Sequence, residues 1–153
     1  MPRVSVFFIR TALLQLALGA TMGGLLLAEK GLRLAPWLWH LRPGHIQIML
    51  LGWTVQLACG VAIWILPRLD AAGSCGCLAL AWLSYGALNA GVALAALHAP
   101  LAAARDADDL GWMLLLAGLL YALAAAAAVG YLWRRVLPFR NLPRPAGPER
   151  NPS

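Results

Sequence analysis

The residues of this chain best suited to chemistry are its three histidines, His40, His45 and His98. A neutral imidazole ring binds haem iron, copper and zinc, and it also exchanges protons near neutral pH. His45 opens one long apolar segment and His98 ends the next, while His40 lies just before the first of them. If these segments are antiparallel helices, all three rings lie at the same end of the protein. This shared position is the most informative feature of the sequence.

Glycines at regular spacing accompany two of these histidines. His45 shares a helical face with Met49 and Gly52, and Gly91 lies seven residues before His98. A gap between Gly52 and Gly91 on facing helices suits a flat macrocycle whose iron is ligated by both imidazoles. We therefore expect a haem site with His45 and His98 as iron ligands and with Met49, Gly52 and Gly91 beside it. A copper or zinc site built from the three histidines is an alternative, and interfacial histidines without a cofactor are another.

Four apolar stretches must position these residues, at about 4–28, 44–66, 76–98 and 110–133. Of the 153 residues, 61% are hydrophobic and 12% are charged, whereas average soluble domains have about 45–50% apolar and about 25% charged residues. A helix of about 20 apolar residues crosses a bilayer, so each stretch is long enough. The sequence predicts an all-α, integral membrane four-helix bundle over residues 1–137, with Pro100 expected to close the third helix.

The basic residues predict how the bundle is oriented. The net charge of +6 lies in segments that flank the apolar stretches, so a membrane explains it better than nucleic acid does. Eight Lys and Arg residues fall in the amino terminus, the second loop and the tail, against four in the other loops. The positive-inside rule then places both termini in the cytoplasm and the histidines outside. Residues 138–153 are expected to form a disordered cytoplasmic tail.

The second apolar stretch also resembles part of a known family. The run from Gly44 to Trp53, followed by Gly60 and a closing Leu66-Pro67-Arg68, resembles the second helix of subunit I in the haem-copper oxidase superfamily, particularly its cbb3 and nitric-oxide-reductase branch. In that family, a histidine seven residues before a Gly-aromatic pair is an axial ligand of a low-spin haem b. His45 matches this position. The resemblance covers about 25 residues, and the chain has the size of one four-helix arc of that larger subunit.

The resemblance implies haem b bound near the outer face of a bacterial cytoplasmic membrane. The copper-ligand histidines and crosslinked tyrosine of the family have no counterparts here, so the expected function is electron transfer by a small cytochrome b-like protein and not oxygen reduction by this chain alone. The expected partners are quinol and a c-type cytochrome or copper protein. The alternatives are a cofactor-free structural or assembly subunit of a respiratory complex and a metal-binding membrane protein. Cys75 and Cys77 have no assigned role.

Small residues predict where helices approach one another closely. The first stretch contains Gly19-x-x-x-Gly23, and the fourth contains Gly111 and Gly118 beside a run of alanines. A single four-helix unit would leave an edge of a macrocycle facing lipid. We therefore expect a homo-oligomer in which these glycines supply candidate contacts between copies.

The orientation is testable with reporter fusions. Because the basic residues are divided eight to four, a reporter fused after Ser153 should be cytoplasmic, and one inserted between Arg105 and Asp109 should be external. Alkaline phosphatase and green fluorescent protein activities at both positions measure this. The reverse pattern would invert the bundle and put the histidines on the cytoplasmic side.

Overall fold

The computed structural model describes residues 2–33, 35–66, 76–105, 110–133 and 135–136, without the side chains of residues 76 and 77. This part of the chain forms four long helices: α1 (Arg3–Leu32), α2 (Pro36–Ile65), α3 (Gly76–Arg105) and α4 (Gly111–Trp133). Each is long and apolar enough to cross a membrane. The predicted all-α architecture, with four helices long and apolar enough to span a membrane, is thereby confirmed. The predicted tail, 138–153, lies outside the described residues.

Helix α3 continues past the point where the sequence predicted its end. Pro100 lies inside the helix, which runs on to Arg105, so the prediction that Pro100 closes it is wrong. Proline has no backbone N–H and cannot donate to the carbonyl of Ala96 one turn earlier. That carbonyl lies against Gly44 of α2, where an added Cβ would be 2.8 Å from the Ala96 oxygen. The close contact with α2 supports α3 at the turn that the proline weakens.

Helix α2 changes its winding along its length. It begins as a 3₁₀ helix (Pro36–Leu41), continues as an α-helix (Arg42–Gln47), becomes a π-helix (Ile48–Val55) and ends as an α-helix (Gln56–Ile65). Within the wider turns, the hydroxyl of Thr54 donates to the carbonyl of Met49, five residues earlier, at 3.0 Å. π-Helical turns are rare and are frequently found at functional sites. The π-helical winding therefore marks the segment that follows His45 as a candidate functional segment.

Helices α1 and α2 are joined by glycines that admit a neighbouring side chain. A Cβ at Gly19 would lie 2.5 Å from Met49 Sδ, and a Cβ at Gly60 would lie 2.9 Å from Phe8 Cβ. The hydroxyl of Ser5 donates to the Gly60 carbonyl at 2.8 Å. Gly19 and Gly23 thus pack against α2 of the same chain. The structure uses them for contacts within one chain, whereas contacts between copies were expected.

Polar side chains connect α1 to α3 across the middle of the bundle. The hydroxyls of Thr11 and Tyr85 are 2.8 Å apart, and Gln15 Nε2 donates to Asn89 Oδ1 at 2.8 Å. Between helices with apolar surfaces, such hydrogen bonds add both adhesion and a defined register. The outer surface of the bundle is apolar, with exposed Leu side chains on all four helices and exposed Trp side chains on α2, α3 and α4. This distribution is the one expected for a protein surrounded by lipid.

The contact between Gly44 and α3 has a testable energetic consequence. Alanine is about 1 kcal/mol more favourable than glycine inside a helix, so Gly86→Ala, where an added Cβ meets nothing within 4 Å, should raise stability slightly. Gly44→Ala should instead lower stability by about 1–3 kcal/mol, because the Ala96 backbone cannot move aside. Unfolding of purified protein in mixed micelles, followed by circular dichroism, measures both. Equal shifts for both variants would contradict the packing described.

Candidate functional site

The His45 ring lies against a glycine of α1. A Cβ at Gly23 would be 2.9 Å from Cε1 of the ring and 3.5 Å from both ring nitrogens. Any larger residue at position 23 would therefore push the imidazole out of its place. The Gly-x-x-x-Gly motif of α1 makes room for two residues of α2, with Gly19 facing Met49 and Gly23 facing His45.

One nitrogen of this ring is held by the backbone of α1. His45 Nδ1 lies 2.9 Å from the carbonyl oxygen of Gly19. A carbonyl oxygen only accepts, so Nδ1 carries the proton of the neutral ring and donates it. Nε2 then keeps its lone pair, and it has no hydrogen-bond partner among the described residues. Histidines that ligate metals commonly have this arrangement, in which a backbone carbonyl fixes the ring and the second nitrogen faces the metal.

A groove of about 900 Å³ opens beside His45, between α1 and the first part of α2. Its lining is mostly small or apolar, with one aromatic ring and two cationic side chains at the end where α1 ends and α2 begins. The lining residues are Ala20, Gly23, Gly24, Leu26, Leu27, Lys30, Trp39, Arg42, His45 and Ile46. Sites for small molecules and cofactors have volumes of about 300–1,000 Å³ and are lined in this way.

A second cavity of about 350 Å³ follows α2 on the other side of His45. Met49, Trp53 and Thr54 line it together with His45. The indole nitrogen of Trp53 is buried and has no hydrogen-bond partner in the described part of the protein. An unpaired buried donor costs about 1–3 kcal/mol, so this N–H is available to an acceptor. His45 and its neighbour Ile46 thus line both cavities.

The helical face predicted for His45 is present, but its neighbour differs from the expected one. Gly52 faces α1, where an added Cβ would overlap the carboxamide oxygen of Gln15. Gln56, four residues further, donates to the Phe8 carbonyl of α1 at 3.4 Å. The predicted residues therefore share one face of α2, as expected from their spacing. This face packs mainly on α1, and at Gly52 it also touches α3, where an added Cβ would lie 3.4 Å from Val92 Cγ1.

His98 belongs to a different helix interface. Gly91 of α3 packs on α4, where its added Cβ would lie 2.7 Å from the Tyr121 ring. Ser84 donates to the Ala124 carbonyl of α4 at 3.0 Å, which shows that this face of α3 meets α4. Helical register places the partly buried His98 on the same face. The expected gap between Gly52 and Gly91 is not formed in this structure, because each glycine packs against another residue.

Among the described residues, the remaining candidates do not form a metal centre. His40 is exposed, and its Nδ1 lies 2.9 Å from the carbonyl of Trp37 within the same turn. Within the described ranges, no three His, Cys, Asp or Glu side chains are grouped to hold a metal ion, so the three-histidine alternative is not formed there. Cys75 and the side chain of Cys77 lie outside the described residues, and Cys59 is a free, partly buried thiol.

Sequence reasoning missed most of the residues that surround His45. Lys30 and Arg42 were interpreted only as loop charges and Gly23 only as a packing residue, yet all three line the groove. One signal in the sequence could have identified Gly23 as a neighbour of His45. Gly23 belongs to the Gly19-x-x-x-Gly23 motif and lies at the same depth in the bundle as His45. Comparisons with protein-family models, curated proteins and solved structures found no match to this chain.

The hydrogen bond from His45 predicts a specific tautomer. In protein labelled with ¹⁵N-histidine, at a pH where imidazole is neutral, His45 should carry its proton on Nδ1, with the ¹⁵N shift of Nε2 typical of an unprotonated nitrogen. The His98 ring has no hydrogen bond among the described residues and serves as the comparison. An Nε2–H tautomer at His45 would contradict the contact with Gly19.

Proposed function

We propose that this protein is a small cytochrome b-like electron-transfer protein that holds a haem b in the groove beside His45. The observation that carries the proposal is the arrangement of the His45 ring: Nδ1 donates to the Gly19 carbonyl, and Nε2 is uncommitted next to a groove of about 900 Å³. A ring fixed in this way presents a preoriented lone pair to iron. When bound, haem would supply one-electron chemistry, and the protein would hold and shield it.

The groove suits the shape and polarity of a macrocycle. Gly23 and Gly24 leave space beside the ring, Leu26 and Leu27 offer apolar contacts, and the aromatic side chain of Trp39 lies at the charged end. The apolar lining would keep water away from the iron, and the helix backbone would keep the imidazole oriented. The residues present therefore fit a haem with one axial ligand from this chain.

The second axial ligand is proposed to be His98, as the matching depth of the two histidines suggests. Because His98 lies on the face of α3 that meets α4, ligation by both histidines of one chain requires the end of α3 to turn. The other source is a second copy of the chain. The fourth helix supports association of this kind, since an added Cβ at Gly111 or Gly118 meets nothing within 4 Å. We propose a homo-oligomer on that basis.

The cellular setting follows from the same proposal. With both termini in the cytoplasm of a bacterium, the groove would lie near the outer face of the cytoplasmic membrane. Quinol in the bilayer would be the electron donor, and an external c-type cytochrome or copper protein the acceptor. Oxygen reduction by this chain alone is not proposed.

A cofactor-free structural or assembly subunit of a respiratory complex is the second candidate. The observation that favours it is the filling of both glycine positions, Gly52 by Gln15 and Gly91 by Tyr121. In that case the glycines serve only helix packing, and His45 serves as a polar link between α1 and α2. The two candidates differ in whether purified protein absorbs visible light.

We expect the protein purified from haem-replete cells to show a low-spin haem b spectrum. His45→Ala should abolish haem binding, and the matched variant His40→Ala should retain it, because His40 is exposed and outside the groove. Added imidazole should restore haem to His45→Ala, which would separate a lost ligand from a lost fold. Pyridine haemochrome assays and absorbance spectra measure the occupancy.

The outcomes of these experiments carry different consequences. A colourless wild-type preparation would refute the cytochrome and favour the structural subunit. Equal loss in the His40 and His45 variants would show that the ligand is wrongly chosen. In His98→Ala, retained haem with a change from low to high spin supports His98 as the second ligand, whereas an unchanged spectrum assigns that position to another group.

A further inference from the structure

Two cationic side chains line the groove at the end where α1 ends and α2 begins. Lys30 lies in the last turn of α1, and Arg42 begins the α-helical part of α2. Both are exposed and both line the groove. Neither makes an ion pair or hydrogen bond with another described residue. We call Lys30 and Arg42 the basic rim.

The nearest acidic residue in the sequence is already occupied. Glu29 is the sole carboxylate among the described residues, and it is 3% exposed. Its Oε2 accepts the backbone N–H of Ala35 at 2.6 Å, so it holds the turn that follows α1. The Glu29 carboxylate is thus directed to this turn and makes no ion pair with Lys30 or Arg42, so the basic rim is suited to an anionic ligand.

The rest of the groove selects an apolar body joined to that anionic group. Leu26, Leu27 and Ile46 line it together with His45, whose Nε2 has no hydrogen-bond partner among the described residues. A ligand matching the whole groove has acidic groups at one edge, a broad apolar body and a metal that accepts an imidazole. Haem has this chemistry, because its two carboxylates lie on the same edge of the macrocycle.

We propose that Lys30 and Arg42 bind the two carboxylates of the haem and so fix its orientation in the groove. This inference rests on the proposed function. The apolar body lies along α1 and α2 with the carboxylates toward the 3₁₀ segment Pro36–Leu41, where α2 begins. Cations on long side chains can reach these groups while remaining near the membrane surface. An anionic phospholipid headgroup is the competing occupant, and the experiment below separates the two.

The test compares haem b with its dimethyl ester, in which both carboxylates are uncharged. The full chain, freed of haem and placed in phosphatidylcholine nanodiscs, is titrated with each form and followed by absorbance. The wild type should bind the free acid more tightly than the ester. Lys30→Gln and Arg42→Gln should each weaken binding of the acid by about threefold to tenfold and leave binding of the ester unchanged.

Matched variants control for charge and folding. Arg105→Gln removes one positive charge from the end of α3 without touching the groove, and it should retain the preference for the acid. Lys30→Arg keeps the charge and should bind the acid as the wild type does. Added salt should weaken binding of the acid and not of the ester, because exposed ion pairs are screened.

The outcomes distinguish this inference from the proposed function. Equal affinity of the wild type for acid and ester overturns the basic rim and leaves the haem protein in place. Dependence on the rim together with normal binding in His45→Ala supports the rim and refutes the iron ligand. Failure of the wild type to bind either form overturns both proposals. Retention of phosphatidylglycerol that is lost in both rim variants, measured by native mass spectrometry, would then assign the groove to a lipid.

Discussion

Helices in a bilayer gain nothing by exchanging apolar lipid for apolar protein, so they adhere through close approach and a few polar bonds. The contact between α1 and α2 meets this constraint along its whole length. Gly60 admits Phe8 at one end, Gly52 admits Gln15 in the middle, and Gly23 admits His45 at the other. The position of the imidazole is therefore a product of the same packing that holds the two helices together. The groove lies next to this last contact, between the end of α1 and the beginning of α2.

Much of the fold follows from composition. A bilayer offers no water as a hydrogen-bond partner for the backbone. Each of the four apolar runs is therefore expected to form a helix. The winding of α2 could not be derived in this way, because π-helical turns depend on tertiary contacts and no residue type encodes them locally. The end of α3 was misplaced for a similar reason. Pro100 weakens the helix by a local rule, and contact with α2 at Gly44 overrides that rule.

The sequence predicted His45 and its neighbours on α2, but it did not predict the other residues of the groove or the helix that covers this face. Helical periodicity correctly grouped His45, Met49 and Gly52 on one face, because the spacing of side chains around a helix is a property of the backbone alone. Which helix covers that face depends on the order in which four similar apolar cylinders pack. Their uniform surfaces carry little information about that order. The polar side chain of Gln15 fills the space at Gly52, and this residue was the sequence feature that could have indicated α1 as the neighbouring helix.

His98 stands two residues before Pro100, in a turn where the carbonyl of Ala96 has lost its usual donor. A helix bends most easily where such a bond is missing. The residues from Leu97 to Arg105 can therefore tilt relative to the rest of α3, and Gly44 of α2 contacts the hinge at Ala96. His98 lies in this stretch, so its position depends on the contact between α2 and α3 as well as on α3 itself. If α2 moved so that Gly44 separated from Ala96, this end of α3 would tilt and carry His98 with it. The positions of His45 and His98 would then change together.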